Sequence, residues 1–139
     1  MPSALVLDAG VLVKLCVPQT GSAAAQALLD EALCRGDELL APSFLLAEVL
    51  SVLRWNLQRR ILRLAEAQLA FDSLFSLPFG FVDGRNVYER ARQLAAELDL
   101  PVLYDAVHLA VADLRGASLR TGDAALLRVA AQLPFVQPL

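Results

Sequence analysis

The 139-residue chain holds two cysteines, one tryptophan, one histidine and one lysine. Cys16 and Cys34 sit in apolar or helical surroundings and lack the close pairing of a zinc site. A disulfide framework is therefore not expected, and both read as free thiols in a reducing cytoplasm. No apolar run approaches the roughly 18–20 residues of a membrane span. The best stretch, Leu39 to Leu53, is broken by Pro42 and Glu48. The N-terminus has no basic segment ahead of its first apolar run, and Asp8 interrupts that run, so a secretory signal is not expected. Repeats, linkers and low-complexity tracts are also missing. An excess of positive charge is lacking too: formal net charge is −3, which argues against a generic basic nucleic-acid binder.

Apolar residues, by contrast, are abundant. They make up 57% of the chain, and mean hydropathy is +0.53. The length suits one domain spanning residues 1–139, able to bury roughly two thirds of its unfolded surface without staples. The surplus apolar surface is expected to meet a partner, either a second copy or a bound peptide.

Ala4 to Asp8 is a continuous apolar run that ends in an acid, as in a strand buried on both faces of a parallel sheet. A short apolar segment, Val11 to Leu15, is closed by Pro18. Gly21 to Cys34 reads as a helix with Ser22 as its cap and Arg35-Gly36 as its stop. Glu38 to Ala41 reads as a second strand. Pro42-Ser43 opens a long helix to about Arg60, and another runs from about Ala65 to Leu77. A third strand (Phe79 to Val82) precedes an amphipathic helix from Asn86 to Leu98. The buried run Tyr104-Asp105-Ala106-Val107-His108-Leu109-Ala110-Val111-Ala112 is a helix stopped by Gly116. A strand (Ser118 to Thr121), a helix (Asp123 to Gln132) and a terminal strand (Phe135 to Gln137) complete the order. This alternation predicts an α/β fold: a three-layer α/β/α domain around a mostly parallel sheet.

That order brings four acids to one edge. Asp8 ends the first strand and Asp123 follows the fourth. Glu48 lies in the second turn of the helix leaving the second strand. Asp105 starts a helix that runs back into the fourth strand, so its start lies at the same carboxyl edge, where open α/β sheets bind ligands. Four clustered acids repel one another unless something cationic sits among them. Hard oxygen donors without a Cys or His pattern point to Mg²⁺ or Mn²⁺ rather than zinc. Such a metal activates water and stabilises phosphoryl charge, so the chemistry indicated is phosphodiester hydrolysis. Taken singly, Asp8, Asp105 and Asp123 could each be a helix cap. Glu48, flanked by Leu45, Leu46, Ala47, Val49 and Leu50, is harder to explain without a partner.

Other residues lie near these acids. His108 is one helical turn after Asp105 and is either a packed structural residue or a neighbour of the site. Thr121 alternates to the same side as Asp123 and is placed to contact a ligand or a substrate oxygen. Lys14 is placed for a phosphate contact. Arg54, Arg59, Arg60 and Arg63 form either a phosphate-binding cluster or a solvated face. Asp99 and Asp113 are expected to face solvent. Without the four clustered acids, eleven acidic residues face twelve Lys and Arg, so the rest of the chain is nearly neutral.

Leu7-Asp8-Ala9-Gly10-Val11-Leu12-Val13-Lys14, Ala47-Glu48-Val49-Leu50, Tyr104 to Ala110 and Thr121-Gly122-Asp123 together resemble the PIN domain, and most of all the VapC-type toxins of bacterial toxin–antitoxin pairs. Each motif is short; the ordered set spans nearly the whole chain. The resemblance implies a Mg²⁺- or Mn²⁺-dependent ribonuclease acting on RNA, with Asp8, Glu48, Asp105 and Asp123 at the family's acidic positions. It also implies a homodimer and a cognate antitoxin that covers or enters the site and binds operator DNA. Two departures stand out. Gly10 lies where the family often has Ser or Asn, and Gln19 where it often has Glu.

Four functions are in view. The first is an endoribonuclease toxin, and the second a nuclease of the same fold serving RNA processing or turnover. The third is an inactive domain used for protein binding, against which the retention of four acids counts. The fourth, a phosphatase using Asp8 as nucleophile, is weakened by Gly10, which leaves no second acid two residues on.

Overall fold

The computed structural model describes residues 2–139. The chain runs β1 (Ala4–Leu7), α1 (Ala9–Cys16), α2 (Ser22–Arg35), β2 (Glu38–Ala41), α3 (Leu45–Gln58), α4 (Leu64–Ser76), β3 (Phe79–Phe81), α5 (Arg85–Leu98), α6 (Tyr104–Arg115), β4 (Ser118–Thr121), α7 (Ala124–Val129) and β5 (Val136–Pro138). The strands form one sheet in the order β3-β2-β1-β4-β5, and every pairing is parallel. The chain order reverses between β1 and β4. A crevice therefore opens at the carboxyl ends of those two strands, where ligands bind in open α/β sheets.

Two cores lie on opposite faces of the sheet, as the two-residue period of a strand requires. Leu5, Leu7, Leu39 and Ala41 point to one face and pack with Val11 and Leu12 of α1, Leu29 of α2 and Val49 of α3. Val6, Leu40 and Leu119 point to the other and pack with α5 and α6. The inward-facing residues of β1 and β2 are thus apolar on both faces, which explains their unbroken hydrophobic runs. Helix α6 is buried from Ala106 through Ala112, and a helix apolar all round belongs inside. Its first turn nevertheless reaches the sheet edge, so its start can carry a charge. A smaller cluster of Val17, Leu53, Leu62 and Ala70 joins α3 to α4.

The sequence expectation of a three-layer α/β/α fold holds, with local differences. The segment read as Val11 to Leu15 is the full helix α1, and Asp8 is its N-cap rather than the last residue of β1. Gly21, at φ +92°, caps α2 in place of Ser22; the Ser22 hydroxyl instead accepts from the Gln19 N–H at 2.9 Å. Helix α3 begins at Leu45, so Glu48 falls in its first turn. Asp113 does not face open solvent. It accepts from Arg90 Nε at 2.6 Å and ties α6 to α5. Asp99 is exposed and caps α5 in a left-handed conformation, at φ +54°. Cys16 and Cys34 are free thiols. Among the described residues no helix is long and apolar enough to cross a membrane.

Candidate active site

The crevice holds a cavity of about 220 Å³ lined by Asp8, Ala9, Gly10, Lys14, Glu48, Asp105, His108, Gly122 and Asp123. All four sequence-predicted acids are present, together with Lys14 and His108. Each acid arrives on a different element, and local structure explains how each is held.

Asp8 leaves β1 and caps α1. Its Oδ1 accepts from the Val11 N–H at 2.9 Å, satisfying one of the free donors of that helix start. Its Oδ2 accepts from the Thr121 hydroxyl. Asp123 leaves β4 and caps α7, where Oδ1 accepts from the Ala125 and Leu126 N–H groups at 2.8 and 3.1 Å. Capping therefore engages only one oxygen of Asp123, and the other remains for the cavity. The capping and functional readings of these two acids are compatible, because a carboxylate has about four acceptor sites.

Thr121 is fully buried and bridges the two caps. Its hydroxyl donates to Asp8 and accepts from the Asp123 N–H at 3.0 Å. It thus ties the Asp8 carboxylate to the backbone of Asp123. Glu48 reaches back from α3, and its Oε1 accepts from His108 Nε2 at 2.8 Å. Asp105 lies in the first turn of α6, where the helix dipole favours negative charge. Its carboxylate makes no side-chain hydrogen bond among the described residues.

Asp105 is exposed as a residue, yet its carboxyl lines the cavity and is desolvated there. Desolvation raises it above the ordinary carboxylate range. The His108 ring opposes that shift, while the charges of Asp123, Asp8 and Glu48 reinforce it. A native state that holds the proton more tightly than the unfolded chain loses stability as pH rises through the raised value. In EDTA, Asp105→Asn is accordingly expected to melt above the wild type at pH 7. The gap should close as pH falls to the ordinary carboxylate range. A lower melting temperature at pH 7 would give Asp105 a structural role instead.

The donor set suits a hard divalent cation. Among the described residues no three His, Cys, Asp or Glu side chains close up as a preformed cage. Mg²⁺ needs none, since it is usually held through one or two carboxylates and keeps several waters. Four carboxylates around about 220 Å³ leave space for that hydrated ion.

The chain's only lysine crosses the cavity wall between two glycines. A Cβ on Gly21 would lie 2.8 Å from Lys14 Cε, and one on Gly122 would lie 3.4 Å from Nζ. The small residues thus leave a slot for the side chain. The arginine group is elsewhere. Arg59 stacks on Trp55 at 3.7 Å and Arg63 pairs with Glu66 at 3.0 Å; neither lines the acidic cavity. At Gly10 an added Cβ would lie an ordinary 3.5 Å from Asp8 Oδ1, so steric exclusion does not explain this glycine.

Comparison with known proteins points the same way as the geometry. The PIN domain family model matches residues 5–132. No curated protein sequence matches the chain. Among solved structures, a chain of a toxin–antitoxin complex from Klebsiella pneumoniae is 20% identical, with 96% of this chain and 95% of that one covered and a TM-score of 0.60. A chain of VapBC2 from Rickettsia felis, bound to a DNA fragment from its promoter, is 16% identical, with 97% and 98% covered and a TM-score of 0.70. At these identities the likeness is one of fold.

Proposed function

The chain belongs to the PIN domain family, and from that premise we propose that it is a Mg²⁺- or Mn²⁺-dependent endoribonuclease serving as the toxin of a VapBC-type pair. The observation that carries this reading is the convergence of Asp8, Glu48, Asp105 and Asp123 on one cavity at the sheet's switch point. These four would hold the cation. When bound, it supplies an activated water and stabilises charge on a phosphoryl oxygen.

The chain's own residues do the positioning. The α1 and α7 caps and the Thr121 bridge fix Asp8 and Asp123 before any ligand arrives, and preorganised charge costs no rearrangement during reaction. Asp105 carries no competing side-chain hydrogen bond among the described residues and can turn to a ligand. Lys14, which lines the same cavity, would meet a backbone phosphate, the sequence-independent contact that sets register.

The antitoxin is proposed from a second feature. An apolar groove of about 440 Å³ runs between α1, α2 and α4, lined by Leu12, Leu15, Leu29, Leu69, Leu74 and Leu77 among others, and none of the four acids lines it. Leu69, on the groove's α4 wall, is 68% exposed. A patch of this kind calls for a partner, and the two structural neighbours come from a toxin–antitoxin complex and from VapBC2. We assign this groove to a cognate antitoxin and the remaining apolar surface to a second copy of the chain. Operator DNA is then met only through the antitoxin, in a cytoplasmic setting.

The test is cleavage of a structured RNA pool by antitoxin-free protein, with Mg²⁺ or Mn²⁺ against EDTA. Cleavage that requires the metal is expected. No cleavage by folded protein over a broad RNA set, together with no metal binding by calorimetry, would leave a protein-binding domain.

A further inference from the structure

His108 is the only histidine in the chain, and it is 2% exposed. It lies within α6 between Val107 and Leu109, where an apolar residue would pack at lower desolvation cost. Its Nε2 lies 2.8 Å from Glu48 Oε1 and joins α6 to α3. An ionised carboxylate can only accept, so the Nε2–H donates. Nδ1 is buried without a partner among the described residues. The Phe44 ring packs edge-on against the imidazole, with centroids 5.4 Å apart, and restricts its movement.

Glu48 needs such a hold more than Asp8 or Asp123 does. Asp8 and Asp123 have short side chains anchored by backbone N–H groups. Glu48 has a longer side chain, and His108 is its only hydrogen-bond partner among the described residues. Resting on the metal-nuclease reading above, we propose that His108 is the positioning residue for Glu48. Its Nε2–H anchors Oε1, so that Oε2 is presented to the cation at a fixed place.

The experiment is Mn²⁺ titration by calorimetry of the untagged, antitoxin-free chain as wild type, E48Q, H108L, H108N and H108Q, each also melted in EDTA. Loss of an outer hydrogen bond to a metal ligand typically weakens binding about 10–100-fold. H108L, which has no donor, and H108N, whose amide stops near the Nδ1 position, are expected to lose affinity in that range. H108Q carries an N–H to the Nε2 position and is expected to stay closer to wild type. The imidazole ¹⁵N spectrum, which has only one histidine to report, should show Nε2 bearing a hydrogen-bonded proton.

A ring that matters only for packing would lower the melting temperature in EDTA and leave Mn²⁺ affinity in the folded variants unchanged; that result overturns the proposal. Should H108L fail to fold, H108N against H108Q decides. If wild type binds no Mn²⁺, or E48Q binds as tightly as wild type, the metal reading of Glu48 fails and this role of His108 with it. Tight binding by wild type and H108L with weak binding by E48Q defeats the role of His108 alone.

Discussion

Asp8→Asn and Asp105→Asn are each expected to cut metal-dependent RNA cleavage by about 10²–10³-fold or more, the scale for loss of one preorganised electrostatic group. Both should remain folded, for different reasons. Asparagine caps helices about as well as aspartate, so the amide oxygen introduced by Asp8→Asn can still accept from the Val11 N–H that now meets Asp8 Oδ1 at 2.9 Å. Asp105 makes no side-chain hydrogen bond among the described residues, and its carboxyl is already raised by desolvation and by the charges of Asp123, Asp8 and Glu48. Removing its charge therefore relieves repulsion instead of breaking a contact. Asp113→Asn serves as a control of equal charge change. That residue pairs with Arg90 across α5 and α6 and does not line the cavity, so cleavage should stay at the wild-type rate. Far-UV circular dichroism and thermal melting establish the fold, and gel analysis of a metal-dependent RNA digest gives the rate. Wild-type cleavage by folded Asp8→Asn would remove Asp8 from the active site.

Much of this arrangement was legible in the sequence because edge position follows from element order. A parallel strand ends at the same edge at which the next helix starts. Asp8, Glu48, Asp105 and Asp123 could thus be assembled without coordinates, and they line one cavity. The strands were readable because burial on both faces of the sheet leaves long apolar runs. Where the sequence was less clear, two local principles competed. Val11, Leu12 and Val13 form a short apolar run whose period does not separate strand from helix; the signal that decided it was Asp8 as N-cap, with Val11 three residues on. Pro42 reads as a helix start, but the Leu45 N–H closes only a turn onto the Pro42 carbonyl, and regular helix begins at Leu45. The Glu48–His108 contact was out of reach because the residues lie sixty positions apart on different helices. The Arg90–Asp113 pair was hidden for the same reason, although it spans a shorter separation. The apolar groove was foreshadowed only as surplus hydrophobicity. Its location depends on how α1, α2 and α4 diverge, which no local pattern encodes.

Thr121→Val is expected to weaken both the fold and the site, while Thr121→Ser spares them. Valine keeps the β-branched shape that suits a strand and fills nearly the same buried volume. It lacks the hydroxyl that donates to Asp8 and accepts from the Asp123 N–H at 3.0 Å. Thr121 is fully buried, so water cannot readily replace either bond. An unmet buried polar group costs about 1–3 kcal/mol, and chemical denaturation of metal-free protein should show a loss of that size. The functional effect has a separate origin. Without the bridge, Asp8 keeps only its α1 cap and Asp123 only its α7 cap, so the two carboxylates are no longer fixed relative to each other across β1 and β4. Loss of an outer-shell partner of this kind costs about 10–100-fold in metal affinity or activity. Serine preserves the hydroxyl on the same backbone atom and should recover most of both losses. If valine and serine behave alike in denaturation and in metal-dependent cleavage, the hydroxyl does not carry this coupling, and Asp8 and Asp123 must be held by their helix caps alone.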